Sequence, residues 1–138
     1  MLGHEWTGDT TASRIRKKRV EKGYTIRALA SLIGLTETSL ISIENERSTP
    51  SLQTLRLLAE ALNVSVAYLG CFEALPERNF PEKLTKARTW HGLTKSEMAD
   101  RIGVDVKTLR GWEMGIHEPL PRFMPILESY LEILHPNQ

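Results

Sequence analysis

The chain aligns with itself, without a gap, at a constant offset of 69 residues. When residues 14–64 are laid on residues 83–133, twelve of the fifty-one positions are identical. One register held over this length indicates one small unit used twice. The period is longer than that of solenoid repeats, and two copies do not make an array. The sequence therefore predicts two tandem domains of about 60 residues each. The identical pairs are Lys17/Lys86, Arg19/Arg88, Gly23/Gly92, Thr25/Thr94, Ala30/Ala99, Ile33/Ile102, Gly34/Gly103, Leu40/Leu109, Glu44/Glu113, Pro50/Pro119, Leu58/Leu127 and Leu62/Leu131.

Residues typical of helix ends divide each copy into short helices. In the first copy, Gly23 suits a helix C-terminus, and Thr25 and Thr36 suit the N-caps of the next two helices. In the second copy, Thr94 and Glu97 form a capping box. The predicted helices of the first copy span residues 11–22, 26–33 and 37–45, with a fourth starting at Thr49-Pro50-Ser51 and a short fifth over 64–72. The second copy repeats the plan through Gly92, Gly103 and Asp105, and its fourth helix starts at Pro121.

Little in the sequence favours strands, so the expected fold is all-α, with four to five short helices in each domain. Residues 1–10 are expected to form a flexible N-terminal arm. The first domain is predicted over residues 11–72 and the second over 82–138. Residues 73–81, which contain Pro76, Asn79 and Pro81, are expected to be the linker.

Composition excludes several classes of protein. No apolar run reaches the length of a membrane span, and without a signal sequence we expect a cytoplasmic protein. Cys71 is alone and the four histidines are scattered, so neither a disulfide nor a metal site is expected. No nucleophile–base pair or phosphate-binding glycine loop is recognisable. We therefore expect no enzyme activity, no cofactor and no small-molecule ligand.

Charge is unevenly distributed along the chain. The formal net charge of +1 divides into +2 over residues 1–72 and −1 over residues 73–138. The densest basic run covers residues 14–19. Taken alone, this run is either a solvated helix face or a patch for phosphates.

A small residue, a turn glycine and two apolar residues recur in both copies at spacings of +4, +6 and +3. This pattern looks like the helix-turn-helix signature, and each copy resembles the phage-repressor-like (Cro/C1, Xre) DNA-binding domain. The resemblance covers most of the chain. It implies two tandem lambda-repressor-like helix-turn-helix domains. The four positions are Ala30, Gly34, Leu40 and Ile43 in the first copy, and Ala99, Gly103, Leu109 and Trp112 in the second.

The resemblance also implies a structural ion pair in each copy. In the family, an arginine on helix 1 commonly pairs with a glutamate at the end of helix 3. Arg19 and Glu44 match those positions in the first copy, and Arg88 and Glu113 match them in the second. If buried, each pair would hold the recognition helix to the scaffold. The alternative is two unrelated surface charges.

For the first copy, the resemblance implies that helix 3 enters the major groove and reads bases from its N-terminal half. Glu37 either accepts from a cytosine amino group or only favours the helix N-terminus through the dipole. Arg27 and the start of helix 2 would hold phosphate. Asn45 and Arg47 would hold the neighbouring strand. The predicted DNA-binding residues of this copy are Thr25, Arg27, Thr36, Glu37, Thr38, Ser39, Ser42, Asn45 and Arg47.

For the second copy, Lys107 and Arg110 would read guanine or hold phosphate. Gly111 costs a helix about 1 kcal/mol relative to alanine, and close approach of the backbone to DNA is one reason for its presence. The alternative is that this copy no longer reads DNA and is a packing module. The predicted DNA-binding residues are Lys95, Val106, Lys107, Thr108, Arg110 and Gly111.

The function implied is a sequence-specific regulator of transcription that binds double-stranded DNA and represses by occluding a promoter. The rival hypothesis is a protein-interaction module, such as an antitoxin or antirepressor, built on the same fold. Members of the family often dimerise through the region after helix 4, where this chain has apolar residues that one small domain would not fully bury. That surface would serve a homodimer, which we expect, or it would dock the second copy. Its residues are Val64, Val66, Tyr68, Leu69 and Phe72.

Overall fold

The structure, a computed structural model, describes residues 9–135, and every regular element within that range is helical. The all-α prediction is confirmed. The chain divides into two compact units, with the division between Cys71 and Phe72. We call them unit 1 and unit 2. Within the described range no single helix is long and apolar enough to cross a membrane, and the one pair that reaches that length and composition is bent by 112°.

Unit 1 contains five α-helices, each begun by a hydroxyl side chain. The helices are α1 Thr11–Glu21, α2 Ile26–Ile33, α3 Glu37–Glu44, α4 Leu52–Leu62 and α5 Val66–Gly70. At each N-cap the hydroxyl oxygen accepts from the backbone N–H three residues later, which satisfies a donor that the helix itself cannot. Gly34 ends α2 at φ 77°, a left-handed conformation that favours glycine. The cap residues are Thr10, Thr25, Thr36, Ser51 and Ser65.

Unit 2 repeats unit 1 at the offset found in the sequence. Its helices are α6 Phe80–Trp90, α7 Lys95–Ile102, α8 Val106–Glu113 and α9 Met124–Leu131. The bounds of α6, α7 and α8 are those of α1, α2 and α3 shifted by 69 residues. Short 3-10 helices cover Phe72–Ala74, Pro121–Phe123 and Glu132–Leu134.

The fourth helix of unit 2 starts differently from the prediction. Pro121 begins a 3-10 turn rather than an α-helix, and α9 follows it. An α-helical bond to the Pro121 carbonyl would come from the nitrogen of Pro125, which carries no hydrogen. The N–H of Met124 donates to that carbonyl instead, and this gives the tighter turn.

The stretch predicted as the linker is partly helical. Helix α6 begins at Phe80, because the Asn79 side chain accepts from the N–H of Glu82 and Pro81 fits the first turn. At the N-terminus, Thr10 caps α1 and therefore belongs to the helix start. Residues 1–8 of the predicted arm lie outside the described residues.

Each unit has its own apolar core beneath its recognition helix. In unit 1, Leu40 and Ile43 of α3 are buried together with Ala30 of α2, and α3 packs on α1 and α2. In unit 2, Leu109 and Trp112 of α8 occupy the equivalent places. The opposite faces of α3 and α8 are therefore the ones left for a partner.

The apolar residues predicted for dimerisation are buried or half-buried in the structure. Leu69 is fully buried, and Val64, Val66 and Phe72 are half-buried. The Tyr68 ring is covered by the guanidinium of Arg14 at 4.6 Å and the ammonium of Lys18 at 5.7 Å. The short helix α5 packs on α1 and α4, so Leu69 and Tyr68 make their contacts within unit 1.

Candidate nucleic-acid interface

In unit 1 a buried bidentate ion pair anchors the recognition helix α3. Arg19 Nε donates to Glu44 Oε2 at 2.7 Å, and Arg19 Nη2 donates to Glu44 Oε1 at 3.0 Å. Arg19 Nη1 also donates to the Tyr24 carbonyl at 2.9 Å. The Glu44 side chain is only 4% exposed and that of Arg19 is 12% exposed. One guanidinium thus ties α1, the turn before α2 and the end of α3 together.

Unit 2 contains the same arrangement at the shifted positions. Arg88 Nε and Nη2 donate to the two oxygens of Glu113 at 2.6 and 3.0 Å, and Nη1 donates to the Leu93 carbonyl at 2.8 Å. Thr85 Oγ1 adds a third bond to Glu113 Oε1 at 3.0 Å. The structure therefore brings together both arginine–glutamate pairs that the resemblance implied.

The outer face of α3 is mostly polar and exposed. Glu37, Thr38 and Asn45 are exposed, and Ser42 is half-buried beside them. Ile41 lies in the middle of this face and is 41% exposed. It was missing from the predicted site, although its spacing of four residues from Glu37 and three from Thr38 places it on the same face.

Two hydroxyls predicted to bind DNA, those of Thr25 and Thr36, cap α2 and α3. Thr36 Oγ1 accepts from the N–H of Ser39 at 3.0 Å and lies 2.9 Å from Ser39 Oγ, to which it donates. Thr25 caps α2 in the same way through the N–H of Ala28. These bonds fix the first turns of α2 and α3.

Arg27, predicted to bind phosphate, and Glu37, predicted to read a base, lie next to each other. Arg27 Nε on α2 lies 3.5 Å from Glu37 Oε2 on α3, and the two side chains are 85% and 53% exposed. An ion pair this exposed is weak, because water screens both charges. Arg27 is therefore free to turn toward a phosphate at little cost.

The basic run over residues 14–19 is not one continuous patch. Arg14 is buried, and its Nη1 donates to the Tyr68 carbonyl at 2.6 Å. Arg19 is held by Glu44, whereas Arg16 and Lys17 are exposed. Of the other predicted cations in unit 1, Arg47 is exposed just after the end of α3. The exposed cations near α3 are therefore Arg27, Arg47 and Arg16, whose Nε lies 3.9 Å from Glu44 Oε1.

Helix α8 presents two exposed cations, Lys107 and Arg110. Val106 packs against the core of unit 2, and Thr108 and Lys95 are half-buried. Asp105 caps α8 by accepting from the N–H of Thr108 at 2.8 Å, and this bond lowers the pKa of the Asp105 carboxyl. Of the residues predicted on α8, the structure directs only Lys107 and Arg110 fully outward.

Gly111 has an intramolecular reason to be glycine. It is buried, and a Cβ at this position would collide with the imidazole of His117. The small residue thus makes room for a side chain six positions later in the same unit. The contact of Gly111 with DNA stays a prediction, and the nearby His117 ring gives a second reason for a small residue at this position.

Comparison with known proteins gives results that agree with this geometry. A helix-turn-helix family model matches the chain twice, over residues 15–69 and 84–136. The HTH-type transcriptional regulator SinR of Bacillus licheniformis is 35% identical over 98 residues, which are 70% of this chain and 83% of that protein. SinR of Bacillus subtilis (strain 168) is 34% identical over 98 residues, with the same coverage.

Proposed function

Since the chain belongs to the helix-turn-helix family of Cro/C1 type and is a DNA-binding transcriptional regulator, we propose that it is a repressor. In this proposal it inserts recognition helices into the major groove of duplex DNA at specific sequences.

The observation that carries the proposal is the exposed face of α3 on a rigid support. Leu40, Ile43 and the Glu44–Arg19 pair fix one side of the helix to the core, and the other side is mostly polar, with short side chains at Thr38 and Ser42. An α-helix fits the major groove of B-DNA, which is about 12 Å wide. Short side chains let the helix approach the base edges closely.

The roles we assign follow from side-chain chemistry and exposure. Thr38 and Ser42 contact base edges, and Arg27, Asn45 and Arg47 hold the phosphates on either side. In unit 2, Lys107 and Arg110 contact a second stretch of the same duplex. A homodimer is the binding species in this proposal, and occupancy of its site excludes the transcription machinery from a promoter. We place the protein in the cytoplasm, where it binds this DNA.

Replacing Thr38 by alanine is expected to relax the preference at one base pair by about 1 kcal/mol, the lower end of the usual cost of a mismatch. The reason is that Thr38 is exposed in the N-terminal half of α3. The measurement is a gel shift with duplexes selected from a random pool by the intact chain. Ser129→Ala, which removes an exposed hydroxyl from α9, is the matched control and should leave every preference unchanged.

The salt dependence of binding separates this proposal from the rival protein-interaction module. A DNA-binding regulator releases counterions, so the logarithm of its affinity should fall linearly as the logarithm of salt concentration rises. An antitoxin or antirepressor that uses the fold only to hold another protein would select no duplex and give no such slope. That result would contradict the proposal.

A further inference from the structure

The segment after the recognition helix differs in character between the two units. In unit 1 it carries Asn45, Arg47 and Ser51, which are polar and exposed. The residues 69 positions later are Met114, Ile116 and Leu120, and these are 65%, 68% and 57% exposed. Exposed apolar side chains in place of polar ones favour a protein partner over phosphate at this segment of unit 2.

The same segment borders a cavity within unit 2. The cavity has a volume of about 380 Å³, and its walls include Phe80, Trp112, Pro119 and Met124, with Glu118 at one side. Residues 114–120 thus supply exposed apolar side chains and, through Gly115 and residues 117–119, part of the cavity wall. We call this surface, residues 114–120 together with the cavity, the apolar loop face.

We propose that the apolar loop face is the homodimer interface, with Ile116 of each chain entering the cavity of the other. This inference deepens the homodimer of the proposed function and rests on it. A twofold interface uses one surface on both chains, so that surface must contain both the protrusion and the hollow. The apolar loop face contains both, whereas the predicted surface around α5 is half-buried and its Leu69 belongs to the core of unit 1.

Charge complementarity favours a second copy of this chain as the occupant. Glu118 is the one residue among 114–120 with a full charge at neutral pH, and Arg122 follows shortly after it in the sequence. Both are exposed. Under a twofold axis the acid of one chain can face the base of the other. DNA is disfavoured because the segment offers a carboxylate and no lysine or arginine to phosphate.

The test is the mass of the full chain in solution, measured by sedimentation equilibrium over a range of concentrations. The wild type is expected to be a dimer. Ile116→Glu should weaken the dimer at least tenfold, because it places a carboxylate in an apolar cavity. Leu32→Glu is the matched control, since Leu32 is 57% exposed on α2 of unit 1, and it should leave the dimer intact. Circular dichroism verifies that both variants are folded.

A charge exchange gives a second measurement that does not depend on filling the cavity. Glu118→Arg and Arg122→Glu should each weaken the dimer, and the double variant should restore it.

A monomeric wild type, or a dimer that Ile116→Glu leaves at wild-type affinity, overturns the interface. A dimer that Leu32→Glu weakens and Ile116→Glu does not also overturns the interface. Duplex binding is measured separately. A monomer that still selects DNA refutes the homodimer and its interface but leaves sequence-specific DNA binding standing, and a dimer that selects no DNA refutes the proposed function but leaves the interface standing.

Discussion

Replacing Arg88 by methionine is expected to lower the free energy of unfolding of unit 2 by about 3–5 kcal/mol. The Arg88 and Glu113 side chains are only 8% and 4% exposed. Without its partner, Glu113 would keep one bond from Thr85 and remain a buried carboxylate with no counter-charge. Urea unfolding followed by circular dichroism measures the change. Arg19→Met should act in the same direction in unit 1, with a smaller loss because Arg19 is somewhat more exposed.

Two further variants identify the origin of that loss. Arg101→Met removes an exposed arginine from α7 and should change the stability by no more than about 0.5 kcal/mol. Arg88→Met combined with Glu113→Leu removes both charges, and replacing a whole buried pair by apolar groups is often close to neutral. The double variant should therefore recover much of the stability. An Arg88→Met protein as stable as the Arg101→Met control would show that the pair does not hold α8.

Helix positions could be predicted well because their signals are local. The hydroxyl caps at Thr25 and Thr36 and the glycine at Gly34 specify the ends of α2 and α3 within a few residues of chain. Because the repeat has an offset of 69 residues, the same bounds could be predicted for α7 and α8. The predicted linker extended too far, to residue 81, because Asn79 and Pro81 were interpreted as signs of a loop. Residues that break a helix interior also suit a helix start.

Residues whose environment comes from distant parts of the chain could not be predicted in this way. Nothing near Gly111 in the sequence indicates that His117 folds back over it. Leu69 belongs to an apolar stripe on a helix too short to reveal which side is buried, and tertiary packing makes it part of the core. Arg14 belongs to a basic run, yet it is buried, because it donates to the Tyr68 carbonyl and its guanidinium packs on the Tyr68 ring. The arginine–glutamate pairs were foreseen because the family resemblance names them and the repeat shows each twice.

Removing the two outward cations of α8 tests whether unit 2 also reads DNA. Lys107→Ala combined with Arg110→Ala is expected to lower affinity for the selected duplex about 10- to 100-fold. That range corresponds to the loss of one good base contact, worth about 1–3 kcal/mol. If both side chains neutralise phosphates, the salt slope should fall by about 2, since each released counterion contributes about 0.9. The affected base pairs should differ from those that respond to Thr38→Ala, because α3 and α8 belong to separate units.

A charge-matched control is needed because any loss of two cations weakens binding to a polyanion. Lys83→Ala combined with Arg101→Ala removes the same charge from exposed positions on α6 and α7 and should cost much less affinity. The Asp105 cap and the Arg88–Glu113 pair hold α8 in place in both variants, so the difference between them reports on contact with DNA. Should the Lys107/Arg110 variant keep the affinity and the salt slope of the wild type, α8 does not bind DNA. Unit 2 would then be a packing module, and α3 of unit 1 would carry recognition alone.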